Sequence, residues 1–420
     1  MKCKKIEREA YNIYLIKNSG FHTIDLRVYF TENASRRINT ERLALINMMT
    51  YATKKYPTKK DLLNKCKMLY SMYPSGLTIR HGKLMSTSFS ISTIDSKYIK
   101  DQNIKDNIYL LGELIFNPLI ENQSFNQKYY DIVINELKTE TKTIDEDPKL
   151  LANYLMINNL DDGKGEILTG FGDLDILDKI TPKSLYQSYQ EMINNSRIDI
   201  YVSGNIKNED EIVKTIDEVF TLKKRKIDLA YFNIIHKDKN KKVKYVVRKG
   251  EYAQSKLCLG YKFIDLTPDE SRYVANLMNN IIANDMDSLT MQIIREKHSM
   301  CYYATSYVNR LDNLYVLNLG INKENYENVM KLINEIMDYL ISGKITKREV
   351  EKSKATCIVE LETMMDNNAN LINYWYGREL FDSEDIKIRL DKIKKIKRED
   401  IQEFAKKMKL DTVFFLEGEL

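Results

Sequence analysis

A weak internal duplication limits what this chain can fold into more than any other feature. Residues 178–190 read as a capped amphipathic helix, and 198–206 as a short apolar strand that runs into Gly204. The same pattern returns at 394–405 and 412–420, with Gly418 in the place of Gly204 and Ile396 in the place of Ile180. Ile134, Glu136 and Leu137 recur as Ile358, Glu360 and Leu361, the second set following a Thr346/Glu349 capping-box pattern. A third pair of helical segments begins at Arg42 and Arg272. Three matches in the same order predict two similar halves. Segments 23–29, 87–91, 255–261 and 313–320 alternate or run apolar, as half-buried strands do. Segments 122–141 and 323–342 have the spacing of long helices, the second closed by Gly343. Strands and helices mix without regular βαβ alternation. The expected class is therefore α+β: two homologous halves, each an antiparallel-rich sheet with helices packed on one face. The expected boundaries are 1–220 for the first domain, 221–244 for a basic linker and 245–420 for the second domain.

Composition excludes several functions. The 420 residues are 43% hydrophobic and 30% charged, enough for sizeable cores. The net charge of +5 is a weak bias and does not suggest nucleic-acid binding. The densest basic run is Lys223, Lys224, Arg225 and Lys226, continued by Lys237, Lys239, Lys241, Lys242 and Lys244. It is expected to be a solvated linker. Five scattered cysteines without CxxC spacing fit a reducing compartment and offer no cysteine zinc site. The first residues show no signal-peptide pattern and no stretch is apolar enough to span a membrane, so the expected location is the cytoplasm.

The most specific stretch is 287–306, in which Arg295-Glu296-Lys297 ends a helix and Tyr302 follows seven residues after Arg295. It resembles the second-half motif of the insulinase/pitrilysin-like (inverzincin) metallopeptidases. The similarity extends along the chain. Residues 114–118 resemble the loop before the family's long helix, and 133–137 with 145–148 resemble that helix and the acidic-Pro segment after it. Residues 256–261 resemble the opening strand of the second half. The resemblance implies the family's clamshell-half fold, with Arg295 and Tyr302 binding substrate and completing the catalytic centre. A guanidinium and a phenol are fixed donors suited to a peptide carbonyl or a developing oxyanion.

Active members of that family carry His-x-x-Glu-His on the first helix and a later Glu as third zinc ligand. The four histidines here are His22, His81, His236 and His298, and no two are four apart. Aligning the motif on residues 40–53 puts Leu43, Ile46 and Asn47 at its His, Glu and His positions. Glu136 falls at the third-ligand position, and Tyr129 replaces a Glu often found seven residues before it. This metal site is degenerate, and the chain is expected to bind no cofactor. His298 and Cys301, three apart, form the one other nucleophile pattern, and Cys301 is expected to be a small core residue.

The resemblance thus implies a non-catalytic subunit of a heterodimeric zinc metallopeptidase. This chain would supply Arg295 and Tyr302, and a partner with an intact motif would supply Zn²⁺. Unfolded peptides would add as strands to an exposed sheet edge near residues 77–80. The chain also resembles bacterial insulinase-like proteins linked to aminopentanol modification of elongation factor P. The alternative is a structural or peptide-binding scaffold of the same fold with no peptidase role.

Overall fold

In the computed structural model, residues 3–99, 104–160, 170–236 and 242–419 are described. The chain forms two compact units, and neither is one continuous stretch. The first comprises residues 1–141, 170–232 and 364–383; the second comprises 142–169, 233–363 and 384–420. Lys237, Lys239 and Lys241 of the basic run lie outside the described residues.

The first unit is built on β1 (Cys3–Glu7), β2 (Asn12–Lys17), β3 (Thr23–Asn33), β4 (Ser75–His81), β5 (Leu84–Ile94) and β8 (Arg197–Gly204), with a two-residue hairpin of β6 (Ile120–Glu121) and β7 (Ser124–Phe125). The strand order is β1-β2-β8-β3-β5-β4. Every pair is antiparallel except β2–β8. Alternation along the strands separates two layers, because successive side chains leave a strand on opposite faces. Ile13, Leu15, Leu26, Val28, Phe30, Ile200 and Val202 join the main core, together with side chains from helices Arg36–Tyr51, Ile104–Phe116, Gln127–Lys142, Pro182–Asn195 and Glu209–Val219. Tyr14, Ile16, Tyr29 and Tyr201 point the other way and pack against Leu371, Ile372 and Tyr376. Those last three belong to helix Asn368–Phe381, which comes from the second half of the sequence. Tyr376 stacks on Tyr29 with ring centroids 3.8 Å apart.

The second unit repeats the plan. Its strands are β9 (Lys244–Gly250), β10 (Ser255–Phe263), β11 (Tyr303–Asn309), β12 (Leu314–Ile321) and β13 (Met408–Gly418). Their order, β11-β12-β10-β13-β9, matches β4-β5-β3-β8-β2 strand for strand. The one parallel pair, β13–β9, is in the place of β8–β2. Helix Pro148–Asn159, from the first half of the sequence, belongs to this unit. Its Leu151, Ala152 and Met156 pack with Cys258, Leu314, Val316, Phe414 and Leu416. Gly260 is required at that contact, since a Cβ there would come within 2.9 Å of Leu160 and Met156. Each unit therefore holds, on its sheet, a helix encoded in the other half of the chain. The expected α+β class and its antiparallel-rich sheets are observed, with this extra helix covering a sheet face in each unit.

Local signals behave as the residues dictate, with two corrections. Glu349 and Thr346 form the capping box, the Glu349 amide donating to Thr346 Oγ1 at 3.3 Å and the Thr346 amide to Glu349 Oε2 at 2.7 Å. Gly343 closes helix Tyr326–Ile341 at a φ of +69°. The helix expected from residue 122 begins at Gln127 instead. Asn122 and Gln123 both adopt positive φ and make the tight turn of the β6–β7 hairpin. The basic run is not wholly solvated either. Arg225 is half-buried, and its Nη1 donates to the Ile193 carbonyl at 2.5 Å.

Gly204, where the first repeat's strand ends, has φ +146°, and a Cβ there would lie 2.8 Å from the Thr23 carbonyl oxygen. Replacing it with Val is expected to cost roughly 2–3 kcal/mol through backbone strain and that clash. Urea denaturation would show it as a lowered midpoint; an unchanged midpoint would refute the assignment.

Candidate functional site

Helix Arg36–Tyr51 carries Leu43, Ile46 and Asn47, the residues that the sequence resemblance aligns with the metal motif. Ser35 caps it by accepting the Ile38 amide. Leu43 is half-buried, Ile46 is buried and Asn47 is exposed. Asn47 Nδ2 donates to the Leu43 carbonyl at 2.9 Å, so its amide is engaged along its own helix. Ile46 packs on edge strand β4. A Cβ added to Gly76 would sit 2.7 Å from the Ile46 Cβ, so the strand lies directly on the isoleucine.

Glu136 lies exposed on helix Gln127–Lys142. Tyr129, two turns earlier on that helix, donates its hydroxyl to the Pro57 carbonyl at 2.7 Å and approaches Tyr51 with ring centroids 5.0 Å apart. Among the described residues, no three His, Cys, Asp or Glu side chains come together to hold a metal ion. Leu43, Asn47 and Glu136 do not fit zinc, because Leu has no donor atom, the Asn47 amide is engaged along its own helix and one carboxylate does not make a three-ligand site.

Behind this helix lies a polar network that the sequence did not reveal. Arg42 is fully buried and grips Glu32 of β3 through two bonds, Nε to Oε1 at 2.6 Å and Nη2 to Oε2 at 2.9 Å. Its Nη1 donates to both the Ser188 hydroxyl at 2.6 Å and the Ser188 carbonyl at 3.1 Å. Ser188 in turn donates to Glu41 at 2.6 Å. The fork geometry of the guanidinium suits this bidentate arrangement. The only signal in the sequence is the match of Arg42 to Arg272, which pairs with Glu384 at 2.8 Å in its own unit.

Arg295 and Tyr302 belong to the second unit. Helix Met291–Lys297 is wound with wide π-type turns, and Ser299 terminates it in a left-handed conformation at φ +51°. The Ser299 amide donates to the Arg295 carbonyl at 2.9 Å and the Met300 amide to the Ile294 carbonyl at 2.9 Å. This tight reversal delivers Tyr302 to the start of edge strand β11, where its amide donates to Gly320 of β12 at 2.9 Å. The Tyr302 ring is exposed, and its hydroxyl donates to Asn322 Oδ1 at 3.0 Å. The Arg295 guanidinium is partly exposed and lies 3.8 Å from Glu296. Cys301 is buried. Burial pushes its thiol up to about 11, against the opposing pull of Arg295, so it is no ready nucleophile. His298 is exposed.

Sheet edges complete the picture. β4 closes one edge of the first sheet, with Leu77 and Ile79 exposed on it. β11 closes the corresponding edge of the second.

The two duplicated α+β units have the insulinase/pitrilysin-like, or M16, clamshell-half fold. A family model described as "Peptidase M16 inactive domain" matches residues 179–357 of this chain. The sequence is 25% identical to a Bacillus subtilis protein named "Probable inactive metalloprotease YmfF" over 99% of this chain and 97% of that one. A conserved protein from Enterococcus faecalis has the same fold, with a TM-score of 0.93, 24% identity and 99% of both chains covered. So does a "peptidase M16 inactive domain" from Pseudomonas fluorescens, with a TM-score of 0.80, 14% identity, and 100% of this chain and 99% of that one covered. Among the described residues, no helix is long and apolar enough to cross a membrane.

Proposed function

We propose that this chain is the non-catalytic subunit of a heterodimeric zinc metallopeptidase that cleaves unfolded peptides. The observation that carries this reading is a contrast between the two halves. Leu43, Ile46 and Asn47 replace the metal ligands and general base, and Ile46 is locked under Gly76. Arg295 and Tyr302, the residues the family uses to hold substrate, are both present and accessible. A partner subunit with an intact His-x-x-Glu-His motif supplies the Zn²⁺ and the base. This chain supplies two donors for the peptide backbone. A guanidinium and a phenol aimed at a carbonyl favour the charge that develops on its oxygen. The open edge of β4 offers backbone hydrogen bonds to an extended peptide, which would be gripped irrespective of its sequence.

The test is reconstitution with a zinc-motif relative from the source organism. The mixture is expected to cleave an unstructured peptide in a chelator-sensitive way, while this chain alone does not. Stoichiometric zinc and cleavage by this chain alone would overturn the reading. Failure of every such relative to pair with it would favour the scaffold role instead.

A further inference from the structure

The duplication lets one unit act as a template for the other, and one surface differs between them. Helix Ile104–Phe116 follows the β4–β5 hairpin, and helix Tyr326–Ile341 follows β11–β12. Their buried stripes share a register in which Asn107, Leu110, Leu111 and Leu114 correspond to Ile333, Ile336, Met337 and Leu340. The first helix buries a second stripe, Ile108, Gly112 and Ile115. There it is covered by helix Glu209–Val219, whose Val219 lies so close to Gly112 that a Cβ would come within 2.2 Å of it. At the same spacing the second helix presents Asn334, Asp338 and Ile341, all exposed. The neighbouring sheet edge differs in the same sense. β2 is covered by β1, pairing antiparallel, whereas β9 ends its sheet with Tyr245 and Val247 exposed.

Between β9 and helix Tyr326–Ile341 runs an open groove of about 630 Å³. Tyr245, Tyr326 and Met330 give it an apolar floor. Glu327, Glu335 and Asp338 line it against the single cation Lys331. In the first unit the covering helix is strongly acidic, and its Glu211 pairs with Lys105 of the helix it covers.

We propose that this groove docks a basic amphipathic helix of a partner protein, seated as Glu209–Val219 is seated in the first unit. Leucine-type side chains would cover Tyr245 and Met330, and flanking lysines or arginines would face Glu335 and Asp338. This site does not depend on the peptidase reading.

The probe is a fluorescein-labelled, helix-forming peptide matched to the 16 residues of helix Tyr326–Ile341. It has leucines at helical spacing and lysines elsewhere; a twin carries glutamates instead. Fluorescence anisotropy with the full chain is expected to show saturable binding of the lysine peptide and none of the twin. The charge-reversed variant Glu335→Lys/Asp338→Lys is expected to weaken it by about tenfold or more. Glu362→Lys, an exposed change elsewhere in the same unit, should leave it unaltered. Equal binding of both peptides, equal loss in the Glu362→Lys control, or no saturable binding would each overturn the proposal. So would self-association of the chain that Glu335→Lys/Asp338→Lys abolishes without any peptide binding, which would assign the groove to a second copy.

Discussion

Replacing Arg42 with Met is expected to destabilise the first unit by roughly 3–5 kcal/mol, the cost of removing one partner from a buried ion pair. Arg42 is the largest fully buried side chain, and Glu32 beside it is itself buried. Without the guanidinium, the Glu32 carboxylate loses both its short bonds and stays out of water. Ser188 loses the donor to its carbonyl, and Glu41 keeps only Ser188 and Arg37. The melting temperature should fall on the order of 10 °C for a unit of this size. The double variant Arg42→Met/Glu32→Leu tests the mechanism. If the loss comes from a stranded carboxylate, removing the carboxylate should restore much of it, since apolar replacement of a whole buried pair is often near neutral. A single variant as stable as the parent would show that the network contributes little.

In the reconstituted mixture, Arg295→Ala and Tyr302→Phe should each lower kcat/KM by roughly 10²-fold, the usual effect of deleting one donor to a developing oxyanion. Neither should alter folding. Arg295 is partly exposed with one distant carboxylate neighbour, and Tyr302 spends its hydroxyl on Asn322 at the surface. The same melting temperature and the same pairing with the partner chain, with cleavage lost, is the signature of contributed donors. Cleavage that persists unchanged in both variants would remove the assigned roles. Asn322→Ala provides a graded control: it frees the phenol and should change the rate far less than deleting the hydroxyl.

Features that depend only on near neighbours in the chain are legible in the sequence. Strand alternation, the Thr346/Glu349 box and the Gly343 terminus depend on neighbours a few positions away, and each is present in the structure. The helix expected from residue 122 failed because two consecutive left-handed residues, Asn122 and Gln123, turned its first part into a hairpin. Helical spacing alone does not distinguish a helix start from such a turn. The basic run misled because charge predicts solvent only when no carbonyl is near, and the Ile193 carbonyl meets Arg225.

By itself, then, the sequence determined the duplication, the α+β character and the absence of imidazoles at Leu43 and Asn47, because identity, spacing and alternation suffice for all three. Only the tertiary structure decided that helix Pro148–Asn159 belongs with the second sheet and Asn368–Phe381 with the first, that Ile46 lies under Gly76, and that Arg42 is buried against Glu32. These are partnerships between residues far apart in the chain. They are set by which surfaces can be packed together without voids or stranded charges, and no local pattern encodes that.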